Sequence, residues 1–307
     1  MNVAKNVQAL IGNTPIVEIS SIPIPNGARI FAKLEFFNPG GSVKDRLGLE
    51  LIEDAIKSGK LQPGGTIIEP TAGNTGIGLA LAAVGRGFKV QFVVPEKFSV
   101  EKQTLMRALG ATVVNTPTAL GMKGAIAKAE ELVKETEGSF SPAQFGNPAN
   151  PMTYYKTIGP EIWRDMDGKV DVFVAGAGTG GTFMGTSRYL KDQNNAIKTV
   201  IVEPEGSTIN GGESGPHKTE GIGMEFLPDY MDRSYFDAIH TVLDTDAFKW
   251  VKELAAKEGL LVGSSSGAAF HAAMKEAEAS SPGAHIVTVF ADSSERYLSQ
   301  NIYEGGK

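Results

Sequence analysis

Residues 66–95 read TIIEPTAGNTGIGLALAAVGRGFKVQFVVP, and this stretch decides the fold. Thr66-Ile67-Ile68-Glu69 is a short β-rich apolar run, Asn74 to Arg86 is an apolar, Ala-rich run of helical length, and Lys89-Val90-Gln91-Phe92-Val93-Val94-Pro95 is a second β-rich run. Strand, helix and strand within about thirty residues make a βαβ unit, and a crossover of that kind requires a parallel sheet. The alternation continues downstream. Ser99 is placed to cap a helix that runs through Leu109 and stops at Gly110, ahead of a strand at Thr112-Val113-Val114. Met122 to Glu135 predicts an amphipathic helix. Asp171 to Ala175 predicts a strand, Gly180 to Lys191 a helix and Lys198 to Glu203 a strand. Helices follow at Thr245 to Glu258 and Gly263 to Glu276, with a last buried strand at His285 to Phe290. The expected architecture is doubly wound α/β.

A chain of 307 residues is long enough for two domains. A Pro- and Asn-rich break from Gln144 to Asn150 separates two βαβ arrays. The expected division is 40–147 as one α/β domain, with 1–39 and 148–307 as a larger one. Pro204 to Pro228 holds nine glycines and prolines and little periodicity. Loops that long inside compact domains tend to be functional or mobile.

Composition narrows the chemistry. Hydrophobic residues at 41% and charged residues at 21% describe a globular chain, and the net charge of −6 repels phosphate backbones, so no nucleic-acid partner is expected. With 0 cysteines there are no disulfides, thiolate metal sites or cysteine nucleophiles. The histidines, at 217, 240, 271 and 285, form no i, i+4 pair, so no metal site is expected. The first residues lack the apolar run of a signal peptide, and no stretch approaches the roughly 18 apolar residues of a membrane span, so a cytoplasmic protein without a membrane partner is expected. The 37 glycines are clustered.

Three strand-to-helix turns carry those clusters. In open α/β sheets ligands bind at the carboxyl ends of strands, where helix N-termini present free N–H groups. Gly178-Thr179-Gly180-Gly181-Thr182 lets the backbone approach a dianion and adds two hydroxyls, which is a phosphate cradle by mechanism. No lysine follows, so it is not a Walker loop, and Gly176, Gly178 and Gly181 match GxGxxG only weakly. A tight turn without a ligand has the same composition. Thr71-Ala72-Gly73-Asn74-Thr75-Gly76 offers amides and hydroxyls to a carboxylate, although Asn and Thr also serve as helix caps with no ligand present. In Asn38-Pro39-Gly40-Gly41-Ser42-Val43-Lys44-Asp45-Arg46, Lys44 falls in the first turn of a helix, where the macrodipole disfavours its ammonium form. An amine so placed can condense with an aldehyde, whereas a lone lysine is more often a solvated surface group.

Taken with Ile11-Gly12-Asn13-Thr14-Pro15 and Gly263-Ser264-Ser265-Ser266-Gly267, these segments resemble the cysteine synthase and cystathionine β-synthase family over essentially the whole chain. The resemblance implies two doubly wound parallel-sheet domains of the fold-type II, tryptophan synthase β-like architecture. It also implies pyridoxal 5′-phosphate as cofactor and a homodimer. It implies that Lys44 holds the cofactor covalently and moves the α-proton, that Asn74 bonds the ring oxygen, and that Gly178, Thr179, Gly180, Gly181 and Thr182 hold the phosphate. Ser265 would face the pyridine nitrogen, with the three adjacent serines leaving the register open by one. Thr71, Ala72, Gly73 and Thr75, with Gln144, would bind the α-carboxylate of an amino-acid substrate. A neutral serine at the ring nitrogen favours β-replacement over transamination.

Glu35-Phe36-Phe37-Asn38, Tyr154-Tyr155-Lys156-Thr157 and Glu220-Gly221-Ile222-Gly223 resemble the homocysteine-using branch, with Tyr155 and Glu220 as further substrate contacts. Drift between paralogues would also account for them, with Phe36, Phe37 and Tyr155 as packing residues. Ala72 stands where the family usually has serine. No haem segment or regulatory tandem is recognisable. The short bacterial form, which uses O-acetylserine with homocysteine and releases hydrogen sulfide from cysteine, is therefore the expected type. A plain cysteine synthase, a serine or threonine dehydratase and a non-catalytic paralogue are the alternatives. The glycine-threonine composition of residues 178–182 argues against the dehydratase, and retention of Lys44, Asn74 and Gln144 against the paralogue.

Overall fold

A computed structural model describes residues 3–71, 73–96 and 98–305. In chain order the strands are β1 (Ile16–Glu18), β2 (Arg29–Leu34), β3 (Thr66–Pro70), β4 (Lys89–Pro95), β5 (Thr112–Thr116), β6 (Ser139–Phe140), β7 (Val172–Gly176), β8 (Lys198–Pro204), β9 (Ala238–Val242) and β10 (His285–Phe290). The helices are α1 (Lys44–Lys57), α2 (Asn74–Ala83), α3 (Val100–Ala108), α4 (Gly121–Glu135), α5 (Ala149–Lys156), α6 (Ile158–Asp165), α7 (Gly181–Gln193), α8 (Asp244–Glu253) and α9 (Ser264–Ala279). They form two compact units, one of residues 3–11 and 38–149 and the other of 12–37 and 150–305.

The sheet of the first unit has the order β5-β4-β3-β6, with every neighbouring pair parallel. Ile67 and Ile68 of β3 and Phe92, Val93 and Val94 of β4 are fully buried, as the inner strands of a sheet covered on both faces must be. Ile68 and Val93 pack on Ala125 and Ala129 of α4. Every residue of α2 from Thr75 to Ala83 is buried, in keeping with a helix apolar on all sides. It ends earlier than its composition suggests, because Val84 is no longer helical and Gly85 and Gly87 adopt φ of 73° and 77°. Two glycines bring α1 onto α2: a β-carbon at Gly48 would collide with the Gly78 carbonyl group, and one at Gly78 with the carbonyl of Lys44. Ser99 caps α3, its Oγ accepting from the Lys102 N–H at 3.2 Å.

The second unit has the order β1-β2-β10-β7-β8-β9. Its neighbours are parallel except β1, which runs antiparallel to β2 with Val17 opposite Ala32. Its core joins Ile30, Val174, Val202, Ile286 and Phe290 of the sheet to Phe270 of α9. Lys33 on β2 is also fully buried. Its Nζ donates to the Thr14 carbonyl at 2.6 Å and pairs with Glu161 Oε2 at 2.9 Å and Asp165 Oδ2 at 3.1 Å, the kind of partnering a buried ammonium requires. Thr245 to Glu258 is not one α-helix: α8 gives way to a wider π-turn at Leu254–Glu258, closed by Gly259 at φ 70°.

Each sheet reverses its strand order once. In the first, β3, β4 and β5 step outward one way and β6 returns to the other side of β3; in the second, β7, β8 and β9 step outward and β10 returns beside β7. Ligands of open α/β sheets bind beyond the carboxyl ends of the strands at such reversals. The residues that leave there are Thr71, Gly73 and Asn74 and the segment 141–144 in the first unit, and the segments 177–182 and 291–292 in the second. Among the described residues no helix is long and apolar enough to cross a membrane.

Candidate active site

In the first unit, Lys44 is the first residue of α1 and is half-buried. Its N–H donates to Ser42 Oγ at 3.2 Å. Asp45, buried in the same turn, accepts from the Gly40 N–H and ties the preceding glycine turn to the helix, where a carboxylate also suits the dipole. At the reversal, Thr71 Oγ1 accepts from the N–H groups of Gly73 and Gly76, both at 3.2 Å. The threonine thus caps α2, and Asn74 opens that helix as a half-buried side chain. Gly73 has φ 152°, and a β-carbon there would collide with the Lys102 side chain, so glycine is required on two grounds. Thr75 and Gln144, 69 positions apart, are brought together: Thr75 Oγ1 donates to Gln144 Oε1 at 2.7 Å, and both are buried. Ala72 lies outside the described residues.

Glu69, which the sequence reading passed over, underlies this pair. It is almost fully buried on β3, where Oε1 accepts from the Gln144 N–H at 3.2 Å and Oε2 from the Ala143 N–H at 3.1 Å and Ser141 Oγ at 3.2 Å. Burial pushes its carboxyl up to about 7, against the opposing pull of those three donors. The available signal was a carboxylate at the end of an apolar strand, next to a proline.

In the second unit, Gly178 to Thr182 joins β7 to α7. Gly180 caps the helix in the left-handed conformation, φ 82°, and a β-carbon there would collide with Met231 Sδ. Among the described residues, no protein group accepts from the N–H of Thr179, Gly180, Gly181 or Thr182. The Thr182 hydroxyl, on a residue only 8% exposed, likewise has no protein partner there. Asn150 and Tyr230 brace the loop from behind. Asn150 Nδ2 donates to Thr179 Oγ1 at 3.0 Å and to the Tyr230 hydroxyl at 3.2 Å, and that hydroxyl donates to the Thr179 carbonyl at 2.8 Å. Burial pushes the Tyr230 hydroxyl up to about 12. Asn150 lies in the Asn- and Pro-rich break and Tyr230 follows no pattern, so neither stood out in the sequence.

The three adjacent serines differ in what they hold. Ser264 Oγ accepts from the Glu220 N–H at 3.0 Å and Ser266 Oγ from the Ala291 N–H at 3.1 Å. Ser265 is buried, and its hydroxyl has no protein partner among the described residues. A β-carbon at Gly221 would stand 3.6 Å from Ser265 Oγ, and one at Gly178 would collide with the Gly221 carbonyl. The glycine loop, Gly221 and Ser265 are therefore neighbours. Glu220 directs Oε1 to Gln300 Nε2 at 2.6 Å. Tyr155 lies along α7: its hydroxyl donates to Asp192 at 2.9 Å, its ring packs on Tyr189, and its backbone nitrogen stands 2.8 Å from where a β-carbon of Gly185 would be. Among the described residues no hydrogen bond joins it to the glycine loop, Glu220 or Ser265.

The open donors around Gly178 to Thr182 suit a phosphate ester, and the unpartnered Ser265 hydroxyl nearby can donate to or accept from a further polar atom of the same ligand. The model of the family described as "Pyridoxal-phosphate dependent enzyme" matches residues 7–292. The chain belongs to that family. It is similar, at 60% identity over 306 residues and 100% of both chains, to the O-acetylserine dependent cystathionine beta-synthase of Bacillus subtilis. Among solved structures, it is similar to an O-acetylserine dependent cystathionine beta-synthase from Helicobacter pylori, with TM-score 0.95, 53% identity and coverage of 99% and 100%. It is also similar to a hydrogen sulfide-producing enzyme from Fusobacterium nucleatum, with TM-score 0.93, 45% identity and coverage of 96% and 100%. The fold is that of the fold-type II pyridoxal-phosphate enzymes.

Proposed function

We propose that this protein catalyses β-replacement on O-acetylserine, exchanging acetate for the thiol of homocysteine to give cystathionine, and that it releases hydrogen sulfide when cysteine is the donor. The Bacillus subtilis relative supports the substrate pair, and the Fusobacterium nucleatum enzyme supports the sulfide side reaction. The observation that carries the reaction class is the Ser265 hydroxyl, the one of three adjacent serines without a protein partner among the described residues.

Pyridoxal phosphate, when bound, supplies an electron sink for the pair left at Cα. The amides of Thr179 to Thr182 and the Thr182 hydroxyl would bind its phosphate, and Asn74 its ring oxygen. Lys44 would hold it covalently. Once its amine is free, Lys44 would take the proton from Cα and return it after the thiol has added at Cβ. Ser265 would present a neutral hydroxyl to the ring nitrogen, which would leave that nitrogen largely unprotonated, weaken stabilisation of charge at Cα and favour rapid loss of the β-substituent. Thr71, Gly73 and Thr75 with Gln144 would bind the α-carboxylate and hold the Cα–H bond toward Lys44. The family resemblance supports a homodimer.

The test is a product assay on the holoenzyme. O-acetylserine, serine and cysteine are each offered with homocysteine and with sulfide, and products are identified by mass. Cystathionine from O-acetylserine and homocysteine is the expected main product. Cysteine formed from sulfide to the exclusion of the thioether would reassign the protein as a cysteine synthase, and pyruvate formed without any thiol would make it a dehydratase.

A further inference from the structure

Of the residues assigned to the reaction Glu69 meets only Gln144, and that through the backbone N–H, yet the three hydrogen bonds its carboxylate accepts shape the turn that carries Gln144. Ala143, in the middle of that turn, has φ 51°, a left-handed conformation that alanine avoids unless it is held. Its N–H is fixed by Glu69 at 3.1 Å, and its carbonyl accepts from the N–H groups of Gly146 and Asn147 at 2.9 and 3.0 Å. Packing does not immobilise the turn on every side. Ala143 and Phe145 border a cavity of about 330 Å³ lined also by Ile126, Ala129 and Val133. The carboxylate is therefore a restraint, through three accepted bonds, on a strained turn that borders a cavity.

We propose that Glu69 is a positioning residue for the amino-acid substrate. By holding the Ser141–Gln144 turn in its left-handed form, it fixes the Gln144 amide beside the Thr75 hydroxyl, and so sets affinity for the substrate carboxylate rather than the rate of bond making and breaking. This rests on the reading of Thr71 to Thr75 and Gln144 as the carboxylate site.

The experiment compares steady-state kinetics of four holoenzyme variants with wild type. Above about pH 8, where the wild-type carboxyl is ionised, Glu69→Gln turns one of the two terminal acceptors into a donor, so the N–H of either Ala143 or Gln144 loses its acceptor, and the kinetics are compared there. KM for O-acetylserine should rise roughly tenfold, with kcat within about threefold, KM for homocysteine unchanged and the visible cofactor band intact. Adding Ala143→Gly should recover part of that rise, because glycine takes positive φ without steric cost. Gln144→Ala should raise the same KM. If it does not, the carboxylate reading falls and this proposal with it. If Gln144→Ala raises KM while Glu69→Gln leaves it unchanged, or lowers kcat alone, the site stands and the role of Glu69 is refuted. Should Glu69→Gln not fold, Ser141→Ala removes a single bond from the same carboxylate. A rise of about twofold in KM for O-acetylserine supports the proposal, and no change overturns it.

Discussion

The carbonyl of Lys44 occupies the space in which a β-carbon of residue 78 would stand, so the first turn of α1 rests directly on the backbone of α2. Through that contact the amine-bearing residue and the asparagine loop at the head of α2 are held in one rigid body. Gly78→Ala should force the two helices apart. Overpacking of this kind costs about 1–3 kcal/mol, and a shift by about 1 Å of the amine proposed to react would cost about a hundredfold in rate. Urea melts and kcat measured on the folded fraction test both effects. Full activity in Gly78→Ala would mean that this contact does not place Lys44.

Thr182→Val keeps the shape of the side chain and removes its hydroxyl. The hydroxyl has no protein partner to lose among the described residues, so the fold should tolerate the change. Loss of one hydrogen bond to the phosphate should weaken cofactor binding by about 1 kcal/mol, roughly fivefold. Reconstitution of stripped protein with pyridoxal phosphate measures this, and an unaltered dissociation constant would remove Thr182 from the cradle.

Ser265→Asp places a carboxylate where a neutral hydroxyl stands. A negative charge favours a protonated ring nitrogen, so transamination of the amino-acid substrate should rise at the expense of cystathionine formation. Ser264→Ala removes only an acceptor for the Glu220 N–H, and should lower stability by about 1 kcal/mol while leaving the visible spectrum as it was. A spectral change in Ser264→Ala but not at position 265 would shift the assignment by one residue.

Burial holds the Glu69 carboxyl at about 7 rather than 4.5. The folded protein binds that proton more tightly than the unfolded chain. The contribution is therefore fully present below pH 4.5 and is lost as pH rises through about 7. The full shift corresponds to about 3 kcal/mol. The Glu69→Gln side chain carries no such proton, so the unfolding free energy of wild type minus variant should fall between about pH 5 and about pH 8. Denaturant melts across that range decide it, and a difference that grows with pH contradicts a raised pKa.

Long, continuously apolar segments were legible in the sequence. The expected strands at Lys89–Pro95 and His285–Phe290 match the structure at both ends, because each has a run of consecutive buried residues, from Phe92 in the first and from Ile286 in the second, and is bounded by turn residues. Ser99 was readable as a cap because its chemistry is local. The edge strand β1, with three residues, and β6, with two, carry too little pattern to read, and the antiparallel pairing of β1 depends on partners that no local signal encodes. The break of α8 into a π-turn shifts the helical register without any proline to announce it. In the candidate site, glycines and hydroxyls at strand ends were visible because they recur at fixed offsets. Glu69, Asn150 and Tyr230 were not, since each acts on a loop distant in sequence, Glu69 on residues 72 to 75 positions away.

Thr71 spends its lone pairs on the amides of Gly73 and Gly76, which shapes the asparagine loop without help from any ligand. On the proposed function an arriving amino acid would meet groups that are already aimed, so little conformational entropy would be surrendered on docking and more of each contact would survive as net affinity. Thr71→Val would leave the loop to be organised by the guest itself, turning a lock that waits into one that must be assembled at every turnover.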